Sequence, residues 1–526
     1  MVQNIRPEQM KLGHKIPFEK VNFLPKITTD YIGGVGSYFD QSKGCSDDLS
    51  TLSVPNFSLS QRNKLVDVLV RQYESCSMEI PRGAGLLRDA NTFTVTTGHQ
   101  LCLFGGPVYI LYKIASTIAF TRKLNEAHAD KKFVPVFWLA SEDHDFDEVS
   151  TLNVGKTSYK WNNEEKGCIG RMTTIELKGV LSELKSSMSY LDNDLLEEVE
   201  KSMVYDTVSK QYRSFIHGLF GSEELVIVDP DDRDLKKEFL PIVRAEFDGL
   251  SKRYVEQNNK KLTDAGYKLQ AFIRDINLFY VDKGIRERII LDQDSVKWKS
   301  SKQNFSKAEF MEMIEEFPER ISPNVILRPI YQQLILPNAV YIGGGSEIAY
   351  WLQLEDLFSE LQIFKPQLSV RSSFLFVQEK LMNQWTEMGY DYQDLFESPD
   401  QLKNELVIRN ASTDISHEIN AIGEAFDAIQ NKVASHHSEL DSMIGAERRK
   451  LQKQLEFLEK RILKADKSKN KVSLQRVDKI IGKVKPEGKW QERYSSVFDF
   501  FTDKESINEL IDFADPSANS VNIMLF

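Results

Sequence analysis

Apolar positions along the chain change period several times, and each change predicts an element. Asn56 to Tyr73 carries apolar residues at helical spacing behind Ser58 or Ser60 as an N-cap. Asn91 to Gln100, NTFTVTTGHQ, alternates as a β-rich strand and ends in a turn. Pro107 to Ala127 follows as a strong helix with proline in its first turn. The run Phe133 to Ala140, FVPVFWLA, is short, aromatic and β-branched, which suits a buried strand better than a helix. Strand, loop, helix and strand in succession predict a βαβ unit. Further on, ELVIVDPDD (Glu224 to Asp232) is another buried strand ending in aspartates. Val325 to Phe358 predicts helix, strand, glycine turn and helix. The more polar stretches 155–220 and 255–320 predict less regular insertions on the core, with short strand-like pieces such as LFYVDKG and RIILDQD.

Beyond about residue 410 the period becomes heptad. Ile415, Ile419, Ile422, Phe426, Ile429, Val433, His436 and Leu440 alternate steps of four and three. Leu451, Leu455, Leu458, Ile462 and Ala465 resume that spacing, which predicts a coiled coil. The phase slips, or the chain turns, around Met443-Ile444-Gly445. Two long helices folded back on one another satisfy the pattern, and so does a coil between two chains.

Composition narrows the class. A chain of 526 residues that is 41% hydrophobic and 28% charged is an ordinary globular protein with room for several structural units. No apolar run reaches the roughly 20 residues a membrane-spanning helix needs, and the N-terminus MVQNIRPEQMKLGHKIPF has no apolar signal core. Cys45, Cys76, Cys102 and Cys168 show no metal-ligand spacing and predict free thiols, hence a cytoplasmic protein. A net charge of −11 argues against general nucleic-acid binding.

The predicted strands each deliver a loop with chemistry. Thr96 to Lys113, TTGHQLCLFGGPVYILYK, leaves a strand through Gly98 and Gly106 and enters a helix. Its glycines and helix N-terminus suit an anion, with His99, Gln100 and Lys113 as hydrogen-bonding groups. A tight turn around a buried histidine satisfies the same residues. Next, Glu142, Asp143, His144 and Asp145 crowd the end of the 133–140 strand. They suit a general acid–base histidine steered by carboxylates, an amine-orienting site or a Mg²⁺ site, or else a solvated acidic turn. In the last loop, Gly343, Gly344 and Gly345 end a strand and Ser346 can cap the following helix. Glu347, Tyr350 and Trp351 share one face of that helix, fit either for a polar ligand or for core packing. Strands of one parallel sheet bring such loops to a common edge, which predicts one cleft.

The segments TTGHQLCLFGGPVYILYK, FWLASEDHDFDEV, LRPIYQQLILPNAVYIGGGSEIAYWLQL and KPEGKWQER occur in order across most of the chain. In them the chain resembles the bacillithiol biosynthesis BshC family of cysteine-adding ligases. The resemblance implies an α/β fold: a Rossmann-like parallel-sheet core with connecting-peptide insertions and a C-terminal α-helical coiled coil that pairs two subunits. On that reading residues 1–155, 223–255 and 323–410 form the core. Residues 156–222 and 256–322 are insertions, 411–484 the coiled coil, and 485–526 a segment returning to the core. The resemblance places Gly98, Gln100, Gly106, Pro107, Tyr109 and Lys113 on a first glycine loop. It places Glu142, Asp143, His144 and Asp145 on an acidic motif, and Gly343, Gly344, Glu347, Tyr350 and Trp351 on a second glycine loop. His99 departs from the glutamine expected there. The core is also similar to class I nucleotidyl-transferring ligases, although neither of their nucleotide-binding signatures, HxGH and KMSKS, occurs cleanly.

The activity implied is addition of L-cysteine to glucosaminyl-malate, the last step of bacillithiol synthesis, by a homodimer with no nucleic-acid or membrane partner. Amide formation from a free carboxylate is uphill, so ATP, with Mg²⁺ at most as its companion, is the expected activator; no permanent metal is expected. The first loop would take the phosphate or carboxylate of the activated group, His144 or a neighbouring carboxylate the amine proton, and Glu347, Tyr350 and Trp351 the amine-bearing substrate. A Mg²⁺-dependent hydrolase and a non-catalytic coiled-coil scaffold are the rival classes.

Overall fold

The computed structural model describes residues 10–35, 49–188, 193–410, 415–434 and 436–526. They divide into two compact units, Met1–Phe376 with Lys489–Phe526, and Val377–Gly488.

The first unit is built on β1 (Thr92–His99), β2 (Lys132–Leu139), β3 (Val226–Val228), β4 (Asn338–Gly343) and β5 (Gln367–Val370). All four pairings are parallel and the strand order is β5-β4-β1-β2-β3. The chain runs outward from β1 to β3 on one side, then from β4 to β5 on the other. That reversal is the switch point of a doubly wound sheet, and the loops after β1 and β4 diverge there. The strands are apolar throughout because both faces are covered: Phe93, Val95, Val136, Phe137, Trp138, Ile227, Val340 and Ile342 are all buried. Helix α1 (Tyr109–Ala127) packs on β1 and β2. The predicted helix at 56–73 spans Leu59–Glu74, and Ser58 caps it in a reciprocal box with Gln61.

The first insertion differs from the irregular segment that polarity suggests. Residues 177–187, 194–202 and 208–220 are helices whose Leu184, Leu195, Val199, Phe215 and Ile216 join the main core. Each is too short for its stripe to stand out in sequence. The second stretch holds an antiparallel hairpin, Leu278–Asp282 with Ile285–Arg288, to which Ile321–Pro323 adds a third strand. The C-terminal residues return as Ser520–Leu525, antiparallel to Lys11–Pro17 in a sheet with Ser373–Val377.

The second unit is helical. Ser416–Ala434 and Asp441–Lys469 pack on one another as a hairpin, with Asp427 paired to Arg448 at 2.6 Å. The reversal falls at 436–440, a few residues earlier than the heptad slip suggests, and Met443-Ile444-Gly445 lie inside the second helix. Leu402, Leu406, Val477, Ile480 and Val484 form a small core where Pro399–Arg409 meets Lys471–Val484.

Candidate active site at the switch point

The C-terminal ends of the sheet strands open into one cavity of about 640 Å³. Gly98, His99, Gln100 and Lys113 line it from the first predicted loop, Glu142, Asp143 and His144 from the second, and Ser346, Glu347 and Tyr350 from the third. Three separate sequence neighbourhoods therefore meet at the predicted edge.

Lys113 is the tie across the switch point. It is fully buried on α1, and its Nζ donates to the Gly98 carbonyl and to both Glu347 oxygens at 2.8 and 2.9 Å. Stripping an ammonium of water costs several kcal/mol, so this geometry requires the partner. Burial would raise Glu347; the Lys113 charge and hydrogen bond outweigh it, helped by His99 and Tyr341, and hold Glu347 at about 2. Tyr341 donates to the same carboxylate at 2.7 Å. The Glu347 side chain also reaches the Gly344 backbone N–H at 3.4 Å. The N-cap of helix α4 (Gly345–Leu352) is consequently Gly344, and Ser346, expected as the cap, lies in its first turn facing the cavity.

The acidic loop is answered by cations of the chain itself. Glu142 pairs with fully buried Lys236, on α2 (Arg233–Glu246), which also donates to Ile321 O. Burial raises Glu142 and Lys236 pulls it back. Asp143 accepts from Gln100 at 2.7 Å and from the His144 backbone N–H at 2.7 Å, with Arg286 3.7 Å away. The His144 side chain, then the Arg286 charge and the Gln100 and backbone hydrogen bonds, overcome burial and hold the Asp143 carboxyl well below the usual range. The Asp143 and Ser141 carbonyls accept from the N–H groups of Ile169 and Gly170, so the first insertion fixes the loop from behind.

Arg286 decides what His144 offers. Its guanidinium lies 2.7 Å from His144 Nδ1 and can only donate, so Nδ1 supplies its lone pair and the neutral ring carries its proton on Nε2. The Asp143 oxygen is farther from the same nitrogen, at 3.5 Å. In this arrangement His144 presents an N–H donor at Nε2, and Arg286 engages its Nδ1 lone pair. His99 is held in the other tautomer, its Nδ1 toward Gln100 O at 3.2 Å and its Nε2 accepting from Tyr109 at 2.7 Å. Burial, then the Lys113 charge, lowers His99 to about 4 and keeps it neutral.

Several expected site residues lie away from the cavity wall. Tyr109 stands behind His99. Gly106 is buried at φ +59°, where a Cβ would meet Cys102 Cβ at 2.4 Å, so its glycine serves the turn. The α1 N-terminus faces the C-terminal segment: the Val108 N–H donates to Ser495 O at 2.8 Å, and an anion cradle there is not part of the cavity. Gly343 and Gly344 form the strand end beneath Glu347 without lining the cavity. Asp145 is exposed beside it. Trp351 is fully buried, stacked on Tyr341 at 4.5 Å, and packs the core. Within KPEGKWQER, Glu492 pairs with buried Arg371, which lies over the Tyr109 ring, and Gln491 bonds both backbone groups of Phe376.

Sequence reasoning misses the arginines. Arg274, Arg286, Arg288 and Arg328 also line the cavity. Arg328 opens helix α3 (Arg328–Ile335) and donates to Tyr350 at 2.5 Å. The alternation in IRER, residues 285–288, was the available signal for Arg286 and Arg288. Among the described residues no group of three or more His, Cys, Asp or Glu side chains is arranged to hold a metal ion. Cys76, Cys102 and Cys168 are free and buried, and burial pushes the last two up to about 12; Cys45 lies outside the described residues. No described helix is long and apolar enough to cross a membrane.

Fold and cavity together define an α/β protein with a charged cavity at the switch point of a Rossmann-like sheet, followed by a helical hairpin. Residues 21–372 match the family described as bacillithiol biosynthesis BshC, N-terminal Rossmann-like domain, and residues 374–526 match its C-terminal coiled-coil domain. The chain belongs to the bacillithiol biosynthesis BshC family. A Flavobacterium johnsoniae protein, provisionally named cysteine ligase BshC, is 36% identical over 85% of this chain and 86% of its own. A Flavobacterium psychrophilum protein of the same provisional name is 32% identical over 97% and 98%. A solved structure from Campylobacter jejuni, provisionally named arginyl-tRNA synthetase, covers 88% of this chain and 96% of its own at 10% identity and a TM-score of 0.22, too low to bear on fold or function.

Proposed function

We propose that this chain joins the carboxylate of L-cysteine to the amine of glucosaminyl-malate, completing bacillithiol. The observation that carries this reading is one cavity in which two carboxylates, Asp143 and Glu347, are held ionised beside guanidinium groups. Fixed negative charges suit the ammonium groups of both substrates, and the cations suit their carboxylates. ATP, with Mg²⁺ as its companion, would supply the leaving group on the cysteine carboxyl. The guanidinium groups of Arg274 and Arg288 are the residues present that fit its phosphates.

The amine must lose a proton before it attacks. Asp143 and Glu347 are held too low to take it efficiently and serve as anchors. Glu142 is the cavity carboxylate that burial pushes up, and we assign it the proton. His144 directs its Nε2–H at the carbonyl oxygen as the C–N bond forms and the leaving group departs.

Ile422, Ile429 and Leu458, assigned by the heptads to the seam, stay 37%, 51% and 48% exposed. A second copy of the chain would cover them, which supports a homodimer. The buried free thiols support a reducing, cytoplasmic setting. Thiol profiling by mass spectrometry in cells with and without this protein tests the reaction. Glucosaminyl-malate accumulating without bacillithiol is the expected result; undiminished bacillithiol would overturn it.

A further inference from the structure

The second insertion faces the cavity with two guanidinium groups that no described residue pairs with. Its hairpin sets Phe279 opposite Arg288 and Val281 opposite Arg286. Alternate residues of a strand share a face, and Phe279, Arg286 and Arg288 all line the cavity. Arg274 lines it from the preceding loop, next to Phe272, whose ring is 79% exposed. That loop has a defined place. The N–H groups of Gln270 and Ala271 both donate to Gln353 Oε1 at 2.8 Å, and Gln353 Nε2 donates to Ala271 O at 3.0 Å.

Arg286 is committed to His144, Ser322 and Pro323 and lies over Phe279, and Arg328 is committed to Tyr350 and Gln332. Among the described residues, the side chains of Arg274 and Arg288 form no hydrogen bond and no ion pair. Guanidinium groups bind carboxylates and phosphates in bidentate pairs. Placed in a cavity beside an exposed aromatic ring, they match a ligand that carries an anionic end on a ring.

We propose that Arg274 and Arg288 form a subsite for the anionic end of a ring-bearing ligand, with Phe272 covering the ring. This rests on the ligase reading above for what the anion is: the two carboxylates of the malyl group or the phosphates of a nucleotide. The ligand's charge meets the insertion, and its amine meets the sheet.

Calorimetric titration of the full-length protein tests this with three probes: glucosaminyl-malate, glucosamine and ATP. The wild type is expected to prefer glucosaminyl-malate over glucosamine by about tenfold or more, and Arg274→Gln with Arg288→Gln to lose that preference. Glucosamine affinity should not change. A fall in ATP affinity, with the glucosaminyl-malate preference intact, would support the subsite and make phosphate its source. If the double variant keeps both affinities, the subsite is overturned. A wild type that binds neither sugar would overturn the ligase reading instead, and the ATP titration would still decide the subsite.

Discussion

At the floor of the cavity Glu347 and Glu142 meet buried lysines, while at its rim Arg274 and Arg288 meet no carboxylate among the described residues. The floor comes from the sheet ends and the helices behind them, and the rim from an insertion. Buried pairs fix geometry: Lys113 joins the β1 end to α4. Unpaired charge at the rim leaves recognition to the ligand. A parallel sheet therefore supplies a rigid charged base, and specificity is added by a hairpin laid over it.

Unpairing the floor should have the largest effect. Lys113→Met leaves Glu347 without its cation and should destabilise the first unit by about 3–5 kcal/mol in chemical denaturation. Adding Glu347→Gln should recover part of that loss. A single variant as stable as the wild type would show that the pair does not hold the loops together.

The next effect concerns the donor assigned to His144. His144→Ala should lower turnover roughly 10²-fold, whereas His144→Gln, which keeps an N–H, should stay within about tenfold of the wild type. Equal, deep losses in both would restore a proton-transfer role. The pH profiles separate the cases: a limb lost in His144→Gln marks a proton-transfer role, and a profile unchanged from the wild type marks a donor.

The smallest effect is on stability against pH. His99 falls from an ordinary 6.5 to about 4 on folding, so between those values the unfolded chain binds the proton and the folded chain does not. Stability should decline as pH drops from about 6.5 to about 4. Glu347, lowered from 4.5 to about 2, continues the decline below that window. His99→Gln should flatten the upper part alone, as followed by denaturation midpoints across pH. An unchanged slope in that variant would remove His99 from the account.

The sheet was legible because its strands are buried on both faces, so FVPVFWLA and ELVIVDPDD stand out as apolar runs closed by turn residues. The three loops followed from the strands. What stayed hidden depends on neighbours far away in sequence. Helical spacing puts Trp351 beside Glu347 but says nothing of Tyr341, which covers it. His144 invites a base until Arg286, 142 positions later, takes its lone pair. Arg288 sits in a strand whose cavity face is charged, and such a strand looks solvated in sequence.

Whether one switch-point cavity performs the ligation is decided with purified protein. L-Cysteine, glucosaminyl-malate and ATP are supplied, and the amide product is read by mass spectrometry for the wild type and for Asp143→Asn. The account predicts product from the wild type and a loss of at least about 10²-fold in the variant, with its denaturation midpoint nearly unchanged. Full turnover by Asp143→Asn would contradict it.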